Sequence, residues 1–145
     1  MPKNIERITA VSQGMQTKAR SKNHEIIIDE PPVMGGQDTG PNPLGTLLSA
    51  LAGCENVIAN MVAKEMNFDL QGIEFDIRGE FDPAGLVGDP NVRPYFERVT
   101  IHAKVKTSEP EERIKELQEK TDLRCPVYTT LKAAGVEMVP NWVKA

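Results

Sequence analysis

The chain has 145 residues, a length that suits one domain around one core. Its 17 basic and 21 acidic residues leave a net charge of −4 with no basic stripe, which argues against nucleic acid as a partner. No apolar run approaches the ~18–20 residues of a membrane span, and MPKNIERITA lacks the apolar core of a signal peptide, so a cytoplasmic protein without a membrane partner is expected. Two cysteines and two histidines, widely spread, offer no metal-ligand spacing.

In chain order, residues 5–29 read as short strands joined by turns at Gln13-Gly14 and Lys22-Asn23, the clearest strand being HEIIID at 24–29. Residues 30–41 hold three prolines and three glycines and read as a loop. The chain is organised around the long helix expected next. Asn42 can cap a helix and Pro43 suits its first turn. Leu44, Leu47, Leu48, Leu51, Cys54, Ile58, Met61 and Val62 then fall at helical spacing. Ser49, Ala50, Ala52 and Gly53 fill the remaining faces, and a helix that is apolar or small all round belongs in an interior. Gly53 costs roughly 1 kcal/mol in a helix relative to alanine, so its place before Cys54 suggests that something approaches there. Cys54 is thus expected in the most buried element.

Ile73, Phe75, Ile77, Gly79 and Phe81 alternate with charged residues, as in a half-buried strand. A second such strand spans 96–107, with Val99, Ile101, Ala103 and Val105 on one face. The polar face of the first is mostly acidic and that of the second mostly basic, which pairs them as antiparallel neighbours. The Gly- and Pro-rich loop at 83–94 joins them. Ser108-Glu-Pro-Glu111 resembles a capping box opening a helix with Ile114, Leu117 and Thr121 inside. Pro126 suits a first helical position, which puts Cys125 at a helix cap, and Gly135 ends that helix. Residues 136–143 read as a strand that Pro140 confines to an edge or a bulge.

The order is α+β in a single domain over residues 1–145. One small sheet cannot cover a helix that is apolar on every side. Either the sheet wraps around it or a second copy covers it, and the second option predicts an obligate homodimer.

The cysteines carry the chemistry. A cytosolic thiol is more often reactive or simply buried than a structural staple. Cys54 can be read as a small core hydrophobe. Cys125, at a helix N-terminus beside Arg124, is placed where thiolate is favoured. Together they invite redox chemistry, in which one thiolate becomes a sulfenic acid and the other condenses with it to a disulfide.

The runs Gly40-Pro-Asn-Pro-Leu-Gly-Thr-Leu-Leu-Ser-Ala-Leu-Ala-Gly-Cys54, Asp82-Pro-Ala-Gly-Leu-Val-Gly-Asp-Pro-Asn-Val-Arg-Pro94 and Arg124-Cys-Pro-Val-Tyr128 resemble the OsmC/Ohr family of osmotically inducible and organic hydroperoxide resistance proteins. The resemblance extends over nearly the whole chain from about Val11. It implies antiparallel sheets wrapped around a long central helix, an intertwined homodimer and active sites at the subunit interface. It also implies a thiol-dependent peroxidase acting on organic hydroperoxides, re-reduced by an external dithiol or lipoyl group without a bound cofactor or metal. Cys54 matches the attacking cysteine and Cys125 the resolving one. Typical members carry a glutamate after Asn-Pro that positions a catalytic arginine, and here Leu44 stands in that place. Arg20, the only arginine between Arg7 and the helix, is the candidate cation, and Glu55 or Glu30 could replace the missing carboxylate. The alternative is a non-catalytic binding protein for an apolar small molecule on the same scaffold.

Overall fold

A computed structural model describes all residues, 1–145. The chain divides into two compact units, residues 1–47 and 48–145. In the first, β1 (Thr9–Gln13), β2 (Gln16–Ser21) and β3 (His24–Ile28) form an antiparallel meander in that order. The expected turns lie where two residues adopt positive φ, Gly14 and Lys22. Asp29 then organises the loop. Its buried carboxylate accepts from the backbone N–H groups of Glu30, Gln37 and Thr39 and from the Thr39 hydroxyl at 2.6 Å. These donors hold its pKa below the ordinary carboxylate range, the Thr39 hydroxyl contributing most. Gly36 is required in this loop, because a Cβ there would come within 1.9 Å of the Glu30 carbonyl oxygen.

Helix α1 (Pro43–Met66) starts as its sequence indicates, with the Asn42 side chain accepting from the Gly45 N–H at 2.8 Å. Its 24 residues are long and apolar enough to cross a membrane, contrary to the expectation from the uninterrupted runs alone. Leu51, Glu55, Ala59, Val62 and Ala63 are instead buried. In the second unit, β4 (Gly72–Glu80) and β5 (Arg98–Lys106) pair antiparallel as expected, setting Glu74 opposite Lys104 and Glu80 opposite Arg98. The helical turn α2 (Pro83–Leu86) is capped by Asp82 in the loop between them. Gly79 lies directly under the Phe96 ring, where an added Cβ would collide at 2.3 Å. Helices α3 (Glu111–Arg124) and α4 (Pro126–Ala133) then cross over to β6 (Glu137–Lys144).

Two local expectations change. Strand β6 is an edge strand, as Pro140 indicated, but it runs parallel to β5, so the β4-β5-β6 sheet is mixed rather than wholly antiparallel. The α3–α4 crossover returns the chain to the same end of the sheet, which is the geometry of a parallel pair. Ser108 does not cap α3. Pro110 occupies the cap position, and the Ser108 hydroxyl donates to Asp69 at 2.7 Å instead. The core gathers Ala59, Val62 and Ala63 of α1, Ala103 and Val105 of β5, Ile114 and Leu117 of α3, with Phe68 and Trp142.

Candidate active site

Cys125 ends α3 and caps α4, so the junction of two helices fixes its side chain. Its sulfur accepts from the Tyr128 N–H at 3.4 Å. Cys54 projects from the middle of α1. The Cys125 thiol donates to the Cys54 sulfur at 3.0 Å, although 71 residues separate them in sequence, and both are free thiols. A disulfide measures about 2.0 Å, so roughly 1 Å of side-chain movement would join them.

The deep burial expected for Cys54 is not found. Cys125 is completely buried, while Cys54 is half-buried. Gly53 is exposed, and an added Cβ there would meet nothing within the chain, so no close approach to Gly53 comes from this chain itself. The expected thiolate at Cys125 is also overturned. Burial pushes its thiol pKa well up, Cys54 and Glu55 add to the rise, and the Tyr128 N–H offsets only part of it. Arg124 does not assist, because its guanidinium is held by Glu65 at 2.6 Å. Desolvation outweighs the helix terminus here, leaving Cys125 as a neutral thiol.

Two acids complete the cluster. Glu55 follows Cys54 on α1 and lies on the inward stripe of Leu51 and Ala59. It is fully buried, and neither carboxyl oxygen has a hydrogen-bond partner. Asp122, in the last turn of α3, is nearly buried and has one oxygen unpartnered. Its other oxygen accepts from Gln118. Burial first, then the neighbouring Asp122, pushes the Glu55 pKa up to about 9. Burial also raises Asp122, against the opposing influence of Glu55, Gln118, Lys132 and Tyr128. An unpaired ionised carboxylate in such a place costs several kcal/mol, so at neutral pH the pair retains a proton. Tyr128 is held neutral by the same burial and the same acids.

In the sequence, Glu55 stands out only as a possible substitute for a missing carboxylate, and Asp122 does not stand out at all. The signal was the four-residue spacing of Leu51, Glu55 and Ala59, which puts an acid on a buried face. Glu30 is half-buried at the start of the loop after β3. Arg20 belongs to the first unit, where it is exposed on β2 opposite Thr9 and Glu25. No group of three or more His, Cys, Asp or Glu side chains is arranged to hold a metal ion.

A mixed sheet crossed by paired helices, with two thiols meeting between a long helix and a helix cap, defines an OsmC-like α+β protein. The chain belongs to the OsmC-like protein family, whose model matches residues 36–139. It is 29% identical over 133 residues to a hydroperoxide reductase of Mycoplasma genitalium, covering 90% of this chain and 89% of that protein. It is 25% identical over 135 residues to a hydroperoxide reductase of Mycoplasma pneumoniae, covering 93% and 92%. Its fold superposes on the crystal structure of an OsmC-like protein from Mycoplasma pneumoniae with a TM-score of 0.84, at 24% identity and 98% coverage of each chain.

Proposed function

We propose that this protein is a thiol-dependent peroxidase that reduces organic hydroperoxides, with Cys54 as the attacking thiol and Cys125 as the resolving one. The observation that carries the reading is the 3.0 Å separation of the two sulfurs. The relatives named hydroperoxide reductase support the substrate class. Cys54 attacks because it is the more exposed of the two, while Cys125 is buried and neutral. The Cys54 thiolate takes the outer peroxide oxygen, the O–O bond breaks, and the alkoxide leaves as an alcohol after gaining a proton. The Cys125 sulfur then attacks the Cys54 sulfenic acid, forming the disulfide and releasing water. An external dithiol restores both thiols and is itself oxidised to a disulfide, so no bound cofactor is needed. We place this cycle in the cytoplasm, in a chain that works as one domain over residues 1–145. Consumption of cumene hydroperoxide with a dithiol reductant tests the reading. Absence of turnover, together with an apolar molecule retained through purification, would replace it with the binding-protein alternative.

We further propose that the protein works as a homodimer. Leu47, Ala50, Gly53, Val57 and Met61 line an exposed stripe of α1, and Val57 and Met61 are 57% and 48% exposed. A second copy seated there would cover the stripe and use the open space at Gly53. Wild-type protein is expected to sediment as a dimer at micromolar concentration. Val57→Glu should lower the dimer fraction at least tenfold or unfold the chain. A stable, folded wild-type monomer at that concentration would contradict the dimer.

Arg20 is the proposed cation for the Cys54 thiolate. Arg20→Ala should slow both peroxide attack and alkylation of Cys54 about tenfold or more at neutral pH, because a nearby cation favours thiolate. Folding should be unchanged, since the side chain is exposed. Equal rates in both proteins would assign the role to another residue.

A further inference from the structure

We propose that Glu55 and Asp122 form a buried proton relay that takes the proton from the Cys125 thiol when the disulfide forms and returns it when the disulfide is reduced. The inference rests on the dithiol reading of Cys54 and Cys125 and adds the route by which protons reach a sulfur closed off from water. Three observations carry it. Glu55 is fully buried, and neither of its carboxyl oxygens has a hydrogen-bond partner. Cys125 and Asp122 are both close enough to its carboxyl to act on its titration. Asp122 in turn lines an open cleft of about 380 Å³ with Gln118, Tyr128 and Lys132. The chain of groups therefore runs from solvent in the cleft, through Asp122 and Glu55, to Cys125. The groups facing it are Cys54 on α1, Gln118 on α3, Cys125 at the cap, and Tyr128 and Lys132 on α4.

The chemistry demands such a relay. When Cys125 attacks the Cys54 sulfenic acid, its S–H bond breaks as the S–S bond forms and the S–O bond breaks. The singly protonated carboxyl pair accepts the thiol proton and then releases one to the cleft, while the departing hydroxide takes a proton from solvent at the half-buried Cys54 and leaves as water. On reduction, a dithiol sulfur attacks the half-buried Cys54 sulfur, and Cys125 departs. A thiolate in that buried position is a poor leaving group, because a leaving thiol is faster the lower its pKa. Protonation by Glu55 as the S–S bond breaks removes that obstacle, and Asp122 draws the replacement proton from the cleft.

The test uses the disulfide itself. Full-length protein is oxidised with diamide rather than peroxide, and its reduction by dithiothreitol is followed from pH 6 to pH 9. Glu55→Gln is expected to slow reduction at least tenfold and to flatten the pH profile, and Asp122→Asn to slow it at least threefold. Lys120→Met, on the exposed face of α3, should leave the rate unchanged. Difference infrared spectra of wild-type protein between its reduced and disulfide forms should show a protonated-carboxyl band that changes with redox state. A folded Glu55→Gln or Asp122→Asn protein with the wild-type rate and pH profile would overturn the relay. So would wild-type spectra with no carboxyl change, a result that needs no variant to fold. Failure to consume peroxide alongside a slowed Glu55→Gln reduction would overturn the peroxidase reading and leave the relay standing.

Discussion

Cys125→Ser is expected to lose at least 100-fold in sustained peroxide turnover while keeping its first oxidation event. Cys54 is the half-buried member of the pair and needs no help from Cys125 to meet a peroxide. Its sulfenic acid, however, has only one thiol within reach, 3.0 Å away. Without that thiol the sulfenic acid waits for a second peroxide and proceeds to sulfinic acid, which ordinary dithiols do not reverse. Mass spectrometry should find Cys54 carrying one oxygen, then two. Cys54→Ser should lose turnover from the first event, at least 1,000-fold, because the buried, neutral Cys125 is a poor nucleophile in its place. Normal oxidation of Cys125 in Cys54→Ser would reverse the assigned roles.

Glu55→Gln is expected to stabilise the protein at neutral pH even though it damages the cycle. A carboxyl near its ordinary value ionises in the unfolded chain at about pH 4.5, whereas in the folded chain burial and Asp122 hold Glu55 protonated up to about pH 9. The native state therefore binds more protons than the unfolded state across that interval. Below about pH 4.5 Glu55 imposes no ionisation penalty. Stability falls as pH rises through the interval, and the loss is complete above about pH 9. Glutamine keeps the shape, cannot ionise and can donate to Asp122. At pH 7 the gain should be about 1–3 kcal/mol, or several degrees in Tm for a domain of this size. Thermal melts from pH 5 to pH 9 should show the wild type losing ground to Glu55→Gln as pH rises. Parallel curves would mean that Glu55 is ionised in the folded protein.

Much of this architecture was legible in the residues. Asn42-Pro43 marks the start of α1, the opposed charges of β4 and β5 mark their pairing, and Pro140 marks the edge strand. Those signals are local or lie on facing strands. The misreadings share a different cause, in that each depends on a partner distant in sequence. Ser108 is drawn from the cap of α3 by Asp69, 39 residues away. Arg124 is drawn from Cys125 by Glu65. The helix terminus at Cys125 would favour thiolate in water, but the complete burial of the side chain removes the water. Glu55 was obscured because α1 is apolar or small on most faces, so periodicity alone did not single out its inner stripe. The exposure of Gly53, Val57 and Met61 was hidden for the same reason.

The central claim is that Cys54 and Cys125 act as one redox pair on a peroxide. The most direct measurement adds one equivalent of cumene hydroperoxide to fully reduced protein, counts the remaining thiols and maps the peptides under non-reducing conditions. Both thiols are expected to disappear together, with one intramolecular Cys54–Cys125 peptide and one equivalent of alcohol formed. Two free thiols with the peroxide unconsumed, or oxidation no faster than that of free cysteine, would contradict it.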